Sequence, residues 1–258
     1  MGSTLTTKGF MLHLVRAWWN RRYPDWVPEI ALRYLPVVES IRAESLRGLI
    51  LEVGVNRSGL TTYLRRPVVG VDCVLEGVCP AFVTPILAKG QALPFQSGSF
   101  DCTVCMDTLE HIESSERNRF LRELMRVTRR RVYIGCPMGS QAEQEDKVLQ
   151  QYYREQRGRS SPFLDEHVAN GLPRLKAVLE EMEGIAEDSE RPVRFHCEPN
   201  LNIWVHGMLL RLWMRTDRVS YALHRLAIAL VHVRRWLNVG PCYRQIIVAE
   251  FDSSNECS

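Results

Sequence analysis

Two glycines directly after a short apolar run are the first residues of this sequence that suggest a ligand site. Leu49 to Val53 is nearly continuously apolar, and Gly54 and Gly59 follow it before a predicted helix. Glycines let a backbone turn sharply and approach a ligand, and the start of a helix offers free N–H groups. The spacing is therefore typical of a site for a nucleotide or a related cofactor.

Two well-known nucleotide sites fit this turn poorly. A phosphate-binding loop needs Lys after its second glycine, but Leu60 and Thr61 follow Gly59, which excludes it. A dinucleotide site needs a glycine in the middle, where this chain has Asn56, so an NAD-dependent oxidoreductase remains a weaker alternative. Asp72 ends the next predicted strand, where it can accept hydrogen bonds from both hydroxyls of a ribose or simply belong to a turn.

Strands and helices alternate along the chain. Short apolar runs predict buried strands at 49–53, 68–71, 100–106, 131–136, 193–197 and 245–251. Between them, Phe120, Leu124 and Val127 lie on one face of an amphipathic helix, and a later helix is predicted to end at Gly184. Strands that alternate with helices are joined by right-handed crossovers. The alternation therefore predicts the α/β class, with a Rossmann-like, mostly parallel sheet and helices on both faces.

The chain of 258 residues is predicted to be one domain with helical additions. Its 45% hydrophobic and 24% charged residues are ordinary for a globular protein, which argues against a disordered or fibrous chain. Residues 1–47 form an N-terminal helical segment, and residues 48–258 form the domain. Within the domain, 139–174 and 200–240 are predicted to be cap or helical insertions.

Eight cysteines and the start of the sequence favour a reducing compartment. The first residues lack the apolar run and cleavage site of a signal peptide, so we expect a cytoplasmic protein with reduced thiols. Cys102 and Cys105 have the spacing of a zinc pair, but no second pair accompanies them. We therefore expect both to pack in the core, on opposite faces of one strand. No stretch has the roughly 18 to 20 apolar residues of a membrane-spanning helix.

Further motifs follow the glycine turn in a fixed order, namely Ala92-Leu-Pro-Phe95, Ser99-Phe-Asp101 and Asp107-Thr-Leu-Glu-His-Ile112. With the glycine turn and Asp72, this ordered set resembles the class I S-adenosylmethionine-dependent methyltransferases over about Gly48 to Met138. The resemblance implies a seven-stranded sheet whose last two strands form an antiparallel edge. It also implies S-adenosyl-L-methionine as the cofactor.

The resemblance further implies which residues hold that cofactor. Glu52 and the two glycines correspond to the first cofactor motif, and Asp72 corresponds to the acidic residue that holds the ribose. In many relatives an acidic residue accepts a hydrogen bond from the adenine amine. This chain has Gln91 at that position, whose amide oxygen can accept the same hydrogen bond. Arg57 either meets the cofactor carboxylate or points to water. The residues assigned to the cofactor are Glu52, Gly54, Asn56, Gly59, Asp72, Gln91, Ala92, Leu93 and Asp107.

Methyl transfer from a sulfonium is an in-line displacement that needs good alignment and no acid catalyst. A base is needed only when the acceptor must lose a proton, and the candidates are Asp107, Glu110, His111 and His167. Each histidine can instead have a structural role. Glu110 and His111 are able to begin a metal site, but no nearby spacing completes one, so no metal is predicted.

Six arginines and three aromatic residues lie between Leu209 and Trp236, beside a single acidic residue. Such a basic amphipathic segment either contacts an anionic membrane surface or packs on the sheet, in a lid or in a dimer. Nucleic acid is not expected, because the net charge is only +3 and no recognition module is present. The resemblance to the methyltransferases implies methyl transfer, and its relatives suggest a small-molecule or glycan-intermediate acceptor. The alternative from another class is a catalytically inactive scaffold with the same fold.

Overall fold

The computed structural model describes residues 19, 21–55, 59–75 and 81–252. One sheet of seven strands organises this part of the chain, in the order β3-β2-β1-β4-β5-β7-β6. The strands are β1 (Ile50–Val53), β2 (Val68–Asp72), β3 (Val83–Leu87), β4 (Phe100–Met106), β5 (Thr128–Pro137), β6 (Val193–Asn202) and β7 (Cys242–Phe251). The predicted α/β class and Rossmann-like sheet are confirmed.

The first five strands in the chain run parallel, and β7 runs antiparallel to both of its neighbours, β5 and β6. The carboxyl ends of the parallel strands therefore lie at one edge of the sheet, and the beginning of β7 reaches the same edge. Arg244 of β7 is paired with Pro137, the last residue of β5. The antiparallel edge that the resemblance implied is present.

Among the described elements, one helix precedes the first strand, and the others, of very different lengths, lie between strands. They are α1 (Pro28–Ala43), α2 (Thr61–Leu64), α3 (Arg117–Val127), α4 (Gly139–Arg157), α5 (Pro162–Asn170), α6 (Leu175–Asp188), α7 (Ile203–Met214) and α8 (Arg218–Leu226). Two 3₁₀ segments matter below, Leu109–His111 after β4 and Ala227–Leu237 before β7. None of the helices in the described part of the chain combines the length and apolar character that crossing a membrane requires.

Each face of the sheet is covered by its own apolar core. On one face, Val38 of α1 and Ile228 of the second 3₁₀ segment pack with Cys102 of β4. On the other face, Phe120 of α3 and Met182 of α6 pack with residues that include Cys105. The N-terminal helix α1 thus shares a core with the sheet.

The two neighbouring cysteines of β4 are fully buried and point to opposite faces of the sheet. The side chains of a strand alternate between the two faces, and Cys102 and Cys105 are separated by an odd number of positions. The prediction that both thiols belong to the core is confirmed. Cys136 is likewise fully buried in β5.

Three details differ from the sequence prediction. The edge strand β3 was not predicted, because Pro85 and the exposed Thr84 interrupt its apolar pattern. The helix predicted to end at Gly184 continues to Asp188, and nothing near Gly184 obstructs a helical backbone. The helix after the glycine turn is a single turn, Thr61–Leu64, and Arg65 after it has a left-handed backbone.

The basic segment between Leu209 and Trp236 is divided into three elements. Ile228 and Val231 are buried against α1, whereas Trp213 and Trp236 are exposed, the latter to 81%. The membrane contact predicted for this segment stays a prediction, whereas packing on the sheet is seen for Ile228 and Val231, which share a buried apolar cluster with residues of β4 and β7. The helices α4 and α5 contact each other, α5 also contacts the 3₁₀ segment that follows β4, and α4 contacts β7, so the two helices lie over this part of the carboxyl edge of the sheet.

Candidate functional site

The glycine turn after β1 is held by contacts that leave no room for a side chain. Gly54 has a φ of +84°, and a Cβ there would lie 2.0 Å from Oγ1 of Thr108. A Cβ on Gly59 would lie 2.7 Å from both carboxylate oxygens of Glu52. The two glycines are therefore required by their protein neighbours, since the backbone at Gly54 is left-handed and both approaches are too close for alanine.

Glu52 is fully buried in β1, and its carboxylate holds the end of the glycine turn. Both of its oxygens accept a hydrogen bond from the N–H of Leu60, at 2.9 and 3.1 Å. Burial raises the pKa of Glu52 to about 7, although the hydrogen bonds from Leu60 and Tyr34 act in the opposite direction. Glu52, a predicted cofactor residue, thus stabilises the turn. The N–H of Leu60, one of the helix-start N–H groups expected to bind a ligand, is bound to Glu52 instead.

Asp72 ends β2 and is half-buried at the same edge of the sheet. Its Oδ1 accepts a hydrogen bond from the N–H of Val74 at 3.1 Å, so the carboxylate stabilises a turn. Two alternatives were predicted for Asp72, a place in a turn and binding of the ribose hydroxyls. The structure shows the turn contact, and the same carboxylate can also accept hydrogen bonds from a ribose. Asn56 and Arg57, the other predicted contacts of the first loop, lie outside the described residues.

The predicted adenine segment follows β3 as a tight turn. Leu93 is buried, and its N–H donates to Oε2 of Glu123 at 2.7 Å. Arg126 donates to the carbonyl oxygen of Leu93 at 3.2 Å and also binds Glu123. Gln91 is partly exposed and Ala92 is exposed. The helix α3 therefore fixes this turn, and Gln91 and Ala92 are the accessible part of it.

Asp107 lies one residue after β4 and is surrounded by two arginines. Arg244 donates from Nε and Nη2 to the two carboxylate oxygens at 2.6 and 2.7 Å. Nη2 of Arg33 lies 2.7 Å from Oδ2 of the same carboxylate. Burial by itself would raise the pKa of Asp107, but the two guanidinium groups lower it to about 2. This pKa does not favour Asp107 as a proton acceptor, and its predicted role as a general base stays a prediction.

The two candidate histidines meet at the carboxyl edge although they are far apart in the sequence. His111 ends the 3₁₀ segment after β4, and His167 lies in α5, with their ring centroids 4.8 Å apart. Nδ1 of His167 lies 2.8 Å from Oδ2 of Asp146 in α4, and Nδ1 of His111 lies 2.7 Å from Oε2 of Glu166. Since a carboxylate only accepts, each ring donates its Nδ1–H and keeps Nε2 free of that bond.

Glu110 lies beside the histidines and is fully buried. Neither of its carboxylate oxygens has a hydrogen-bond partner among the described residues, and Oε1 lies 3.8 Å from Nε2 of His167. Burial raises the pKa of Glu110 well above its ordinary value, and the nearby Asp107 raises it further. Burial and the adjacent His167 lower the pKa of His111. The cluster therefore favours a proton or a cation on Glu110 and neutral imidazole on His111.

Several residues of this site were not found by sequence reasoning. Asp146 holds His167 and accepts a hydrogen bond from the hydroxyl of Tyr243 at 2.6 Å, while Arg33 and Arg244 hold Asp107. One signal was available, since Arg244 is a charged residue directly before the apolar run 245–251. Nothing in the local sequence marks Arg33 or Asp146, because their partners belong to distant elements.

Comparison with protein families identifies the central part of the chain. Residues 51–136 match the family model described as a methyltransferase domain. The resemblance to the class I S-adenosylmethionine-dependent methyltransferases is confirmed for this segment, which runs from β1 to the end of β5. A comparison with curated proteins finds no match.

Solved structures similar to this chain include three named methyltransferases. A putative methyltransferase from Bacillus halodurans is 12% identical, with a TM-score of 0.49 over 84% of this chain and 97% of that chain. A possible histamine N-methyltransferase from Thermotoga maritima is 12% identical, with a TM-score of 0.48 over 94% and 97%. The 1,6-didemethyltoxoflavin-N1-methyltransferase from Burkholderia thailandensis, solved with its substrate and S-adenosylhomocysteine, is 13% identical, with a TM-score of 0.47 over 97% and 93%.

Proposed function

We propose that the protein is an S-adenosylmethionine-dependent methyltransferase that acts on a small-molecule or glycan-intermediate acceptor. The observation that carries the proposal is the methyltransferase-domain match over residues 51–136, which includes the glycine turn, Asp72 and the segment after β4. In open α/β sheets, ligands bind at the carboxyl edge of the strands. All candidate residues that the structure describes belong to that edge.

The chemistry of the available donors fits such a cofactor. Nη1 of Arg244 and Nε of Arg33 are buried and have no hydrogen-bond partner among the described residues. Buried guanidinium donors without partners are unfavourable, and a carboxylate satisfies them well. The methionine part of the cofactor carries a carboxylate. Asp72, as a half-buried carboxylate at the end of β2, is suited to accept hydrogen bonds from ribose hydroxyls.

When bound, S-adenosylmethionine supplies a methyl group on a sulfonium, whose sulfur leaves as a neutral thioether. The contribution of the chain is to hold donor and acceptor in line, which is worth up to about 7 to 11 kcal/mol when alignment is good. Asp107 has a positioning role in this proposal, because it fixes Arg33 and Arg244 relative to the end of β4. The left-handed backbone of Asp107, with a φ of 48°, turns the chain from β4 toward Glu110.

The acceptor end of the site is assigned to Glu110, His111 and His167. Their free atoms are the Glu110 carboxylate oxygens and the two Nε2 atoms, under a cover formed by α4 and α5. Phe163 of α5 stacks on His111 with ring centroids 5.7 Å apart, which gives this end an aromatic wall. An acceptor with a ring and an ionisable hydroxyl or amine suits this arrangement.

The proposal is tested by calorimetric titration of the purified protein with S-adenosylhomocysteine, with NAD as the parallel ligand. Binding of S-adenosylhomocysteine without binding of NAD supports the methyltransferase. Binding of NAD alone would replace it by the oxidoreductase alternative. Binding of neither ligand to protein shown to be folded by circular dichroism would favour a scaffold that has lost the chemistry.

A further inference from the structure

We propose that Glu110, His111 and His167 form a binding site for one divalent first-row transition metal ion. Each residue offers one ligand atom, and these three atoms all lie within 4.8 Å of one another. Two imidazoles and one carboxylate are a ligand set that Zn²⁺, Fe²⁺ and Co²⁺ bind in proteins. The third ligand was missing from the sequence pattern because the fold brings it from α5.

The unpaired carboxylate of Glu110 is the first observation that points to a cation. The residue is fully buried, and both of its oxygens lack a hydrogen-bond partner among the described residues. Nε2 of the buried His167, 3.8 Å away, also lacks one. Leaving such atoms unsatisfied is costly, and a cation between them satisfies the carboxylate and the imidazole together.

The orientation of the two histidines is the second observation. A metal-binding histidine commonly donates its other ring N–H to a carboxylate, which fixes the tautomer and the direction of the free nitrogen. His167 is bound in this way by Asp146, and His111 is bound in this way by Glu166. Both rings therefore have Nε2 prepared as a ligand. Asp146 is itself held by the hydroxyl of Tyr243, so the support of His167 extends to β7.

The dimensions of the cluster suit one ion after a small adjustment. Ligand atoms around a tetrahedral ion lie about 3.3 Å apart, since each is about 2.0 to 2.1 Å from the metal. A spacing of 4.8 Å therefore has to shorten by about 1.5 Å, shared between the two side chains of the pair. Three protein ligands leave at least one position open. An acceptor oxygen or nitrogen can occupy this position.

The site is tested on the full chain, freed of metal by a chelator and then titrated with Co²⁺. We expect one equivalent of Co²⁺ to bind, with visible ligand-field absorption typical of nitrogen and oxygen ligands, and Zn²⁺ to compete with it. Calorimetric titration with Mg²⁺ provides the comparison with a hard ion that prefers oxygen ligands. This readout requires no methyl transfer and no cofactor, so its failure is distinct from failure of the proposed function.

Variants locate the ion. Glu110→Gln keeps the shape of the side chain but removes its charge, and His111→Ala changes the more accessible ring, whose side chain is 24% exposed. Each is expected to weaken Co²⁺ binding by about tenfold or more. Glu113→Gln and His196→Ala are the matched controls, since both change residues of the same types outside the cluster. They are expected to leave Co²⁺ affinity unchanged.

Three results would overturn the proposal. They are absence of Co²⁺ and Zn²⁺ binding by folded wild-type protein, unchanged affinity in both Glu110→Gln and His111→Ala, and an intense thiolate-to-cobalt absorption band. The last would place the ion on a cysteine, such as the exposed Cys73, instead of on this cluster.

Discussion

Arg244 donates two parallel hydrogen bonds to Asp107, from Nε to Oδ1 at 2.6 Å and from Nη2 to Oδ2 at 2.7 Å. The pair joins the beginning of β7 to the end of β4 across the intervening β5. Arg244 is only 2% exposed, and the Asp107 carboxylate compensates its buried positive charge. Planar pairing of this kind provides both strength and direction.

We expect Asp107→Asn to lower the free energy of unfolding by about 3 to 5 kcal/mol, because it leaves the buried charge of Arg244 without a counter-ion. Urea unfolding followed by circular dichroism measures the change. Asp188→Asn is the control, since Asp188 pairs with Arg122 on the surface and is expected to contribute less than about 1 kcal/mol. Similar losses in the two variants would contradict the importance assigned to the buried pair.

Asp72→Ala is expected to weaken binding of S-adenosylhomocysteine by about 1.5 to 3 kcal/mol, the scale of a hydrogen bond to a charged group. Calorimetric titration provides the dissociation constant. Asp72→Asn retains an acceptor for the N–H of Val74, so comparing the unfolding of both variants separates loss of the turn from loss of the ligand contact. An unchanged dissociation constant in folded Asp72→Ala would remove Asp72 from the cofactor site.

The buried carboxyl of Glu52 makes stability depend on pH. Its pKa rises from an ordinary value of 4.5 to about 7 in the folded protein. Between these values the folded state retains a proton that the unfolded state has lost. The contribution of Glu52 to stability is therefore greatest below pH 4.5 and falls as the pH rises toward 7, by about 3 kcal/mol in total.

Glu52→Gln does not titrate in this range and still offers an acceptor to Leu60. We expect the stability of Glu52→Gln relative to wild type to increase as the pH rises from about 5 to about 8. Urea unfolding at several pH values measures this difference. Glu183→Gln, on the exposed surface of α6, is the control, and it should follow wild type. A difference between Glu52→Gln and wild type that does not change with pH would contradict the raised pKa.

Gly54→Ala and Gly98→Ala form a matched pair, since both glycines have a positive φ. Only the first has a close neighbour, the hydroxyl of Thr108, whereas nothing lies within 4 Å of the Cβ position at Gly98. Both variants suffer backbone strain of roughly 1 to 2 kcal/mol, and Gly54→Ala should lose a further ~1 to 3 kcal/mol from the clash. Thermal unfolding compares them. Equal losses would mean that the Thr108 contact adjusts without cost.

The sheet was largely predictable because its strands have local signatures. Buried parallel strands such as β1 and β4 are short, mostly apolar runs, which distinguishes them from the more polar segments beside them. The edge strand β3 lacks this signature, because it has Pro85 and is partly exposed. A strand that is buried on both faces requires apolar residues at most positions, and this pattern can be recognised in the sequence. An edge strand is partly exposed and does not require such a pattern.

The candidate site was predictable only where its residues follow strands. Glu52 and Asp107 belong to motifs at strand ends, so their sequence context indicates their location. The partners of Asp107 and His167 come from α1, α4 and β7, and their identity depends on how distant elements pack. No local pattern encodes such a pair, so the sequence indicated Asp107 as a candidate base without indicating the two arginines that bind its carboxylate.

The position of β7 between β5 and β6 has a consequence for synthesis of the protein on the ribosome. Among the described elements β7 is made last, yet it is inserted inside the sheet and supplies Arg244 and Tyr243 to the site. Until β7 is made, Asp107 lacks its contact with Arg244 and Asp146 lacks its contact with Tyr243, although Arg33 and His167 have already been synthesised. Domains commonly begin to fold from the N-terminus as they emerge. In this protein, the candidate site is consequently completed only after β7 has been synthesised.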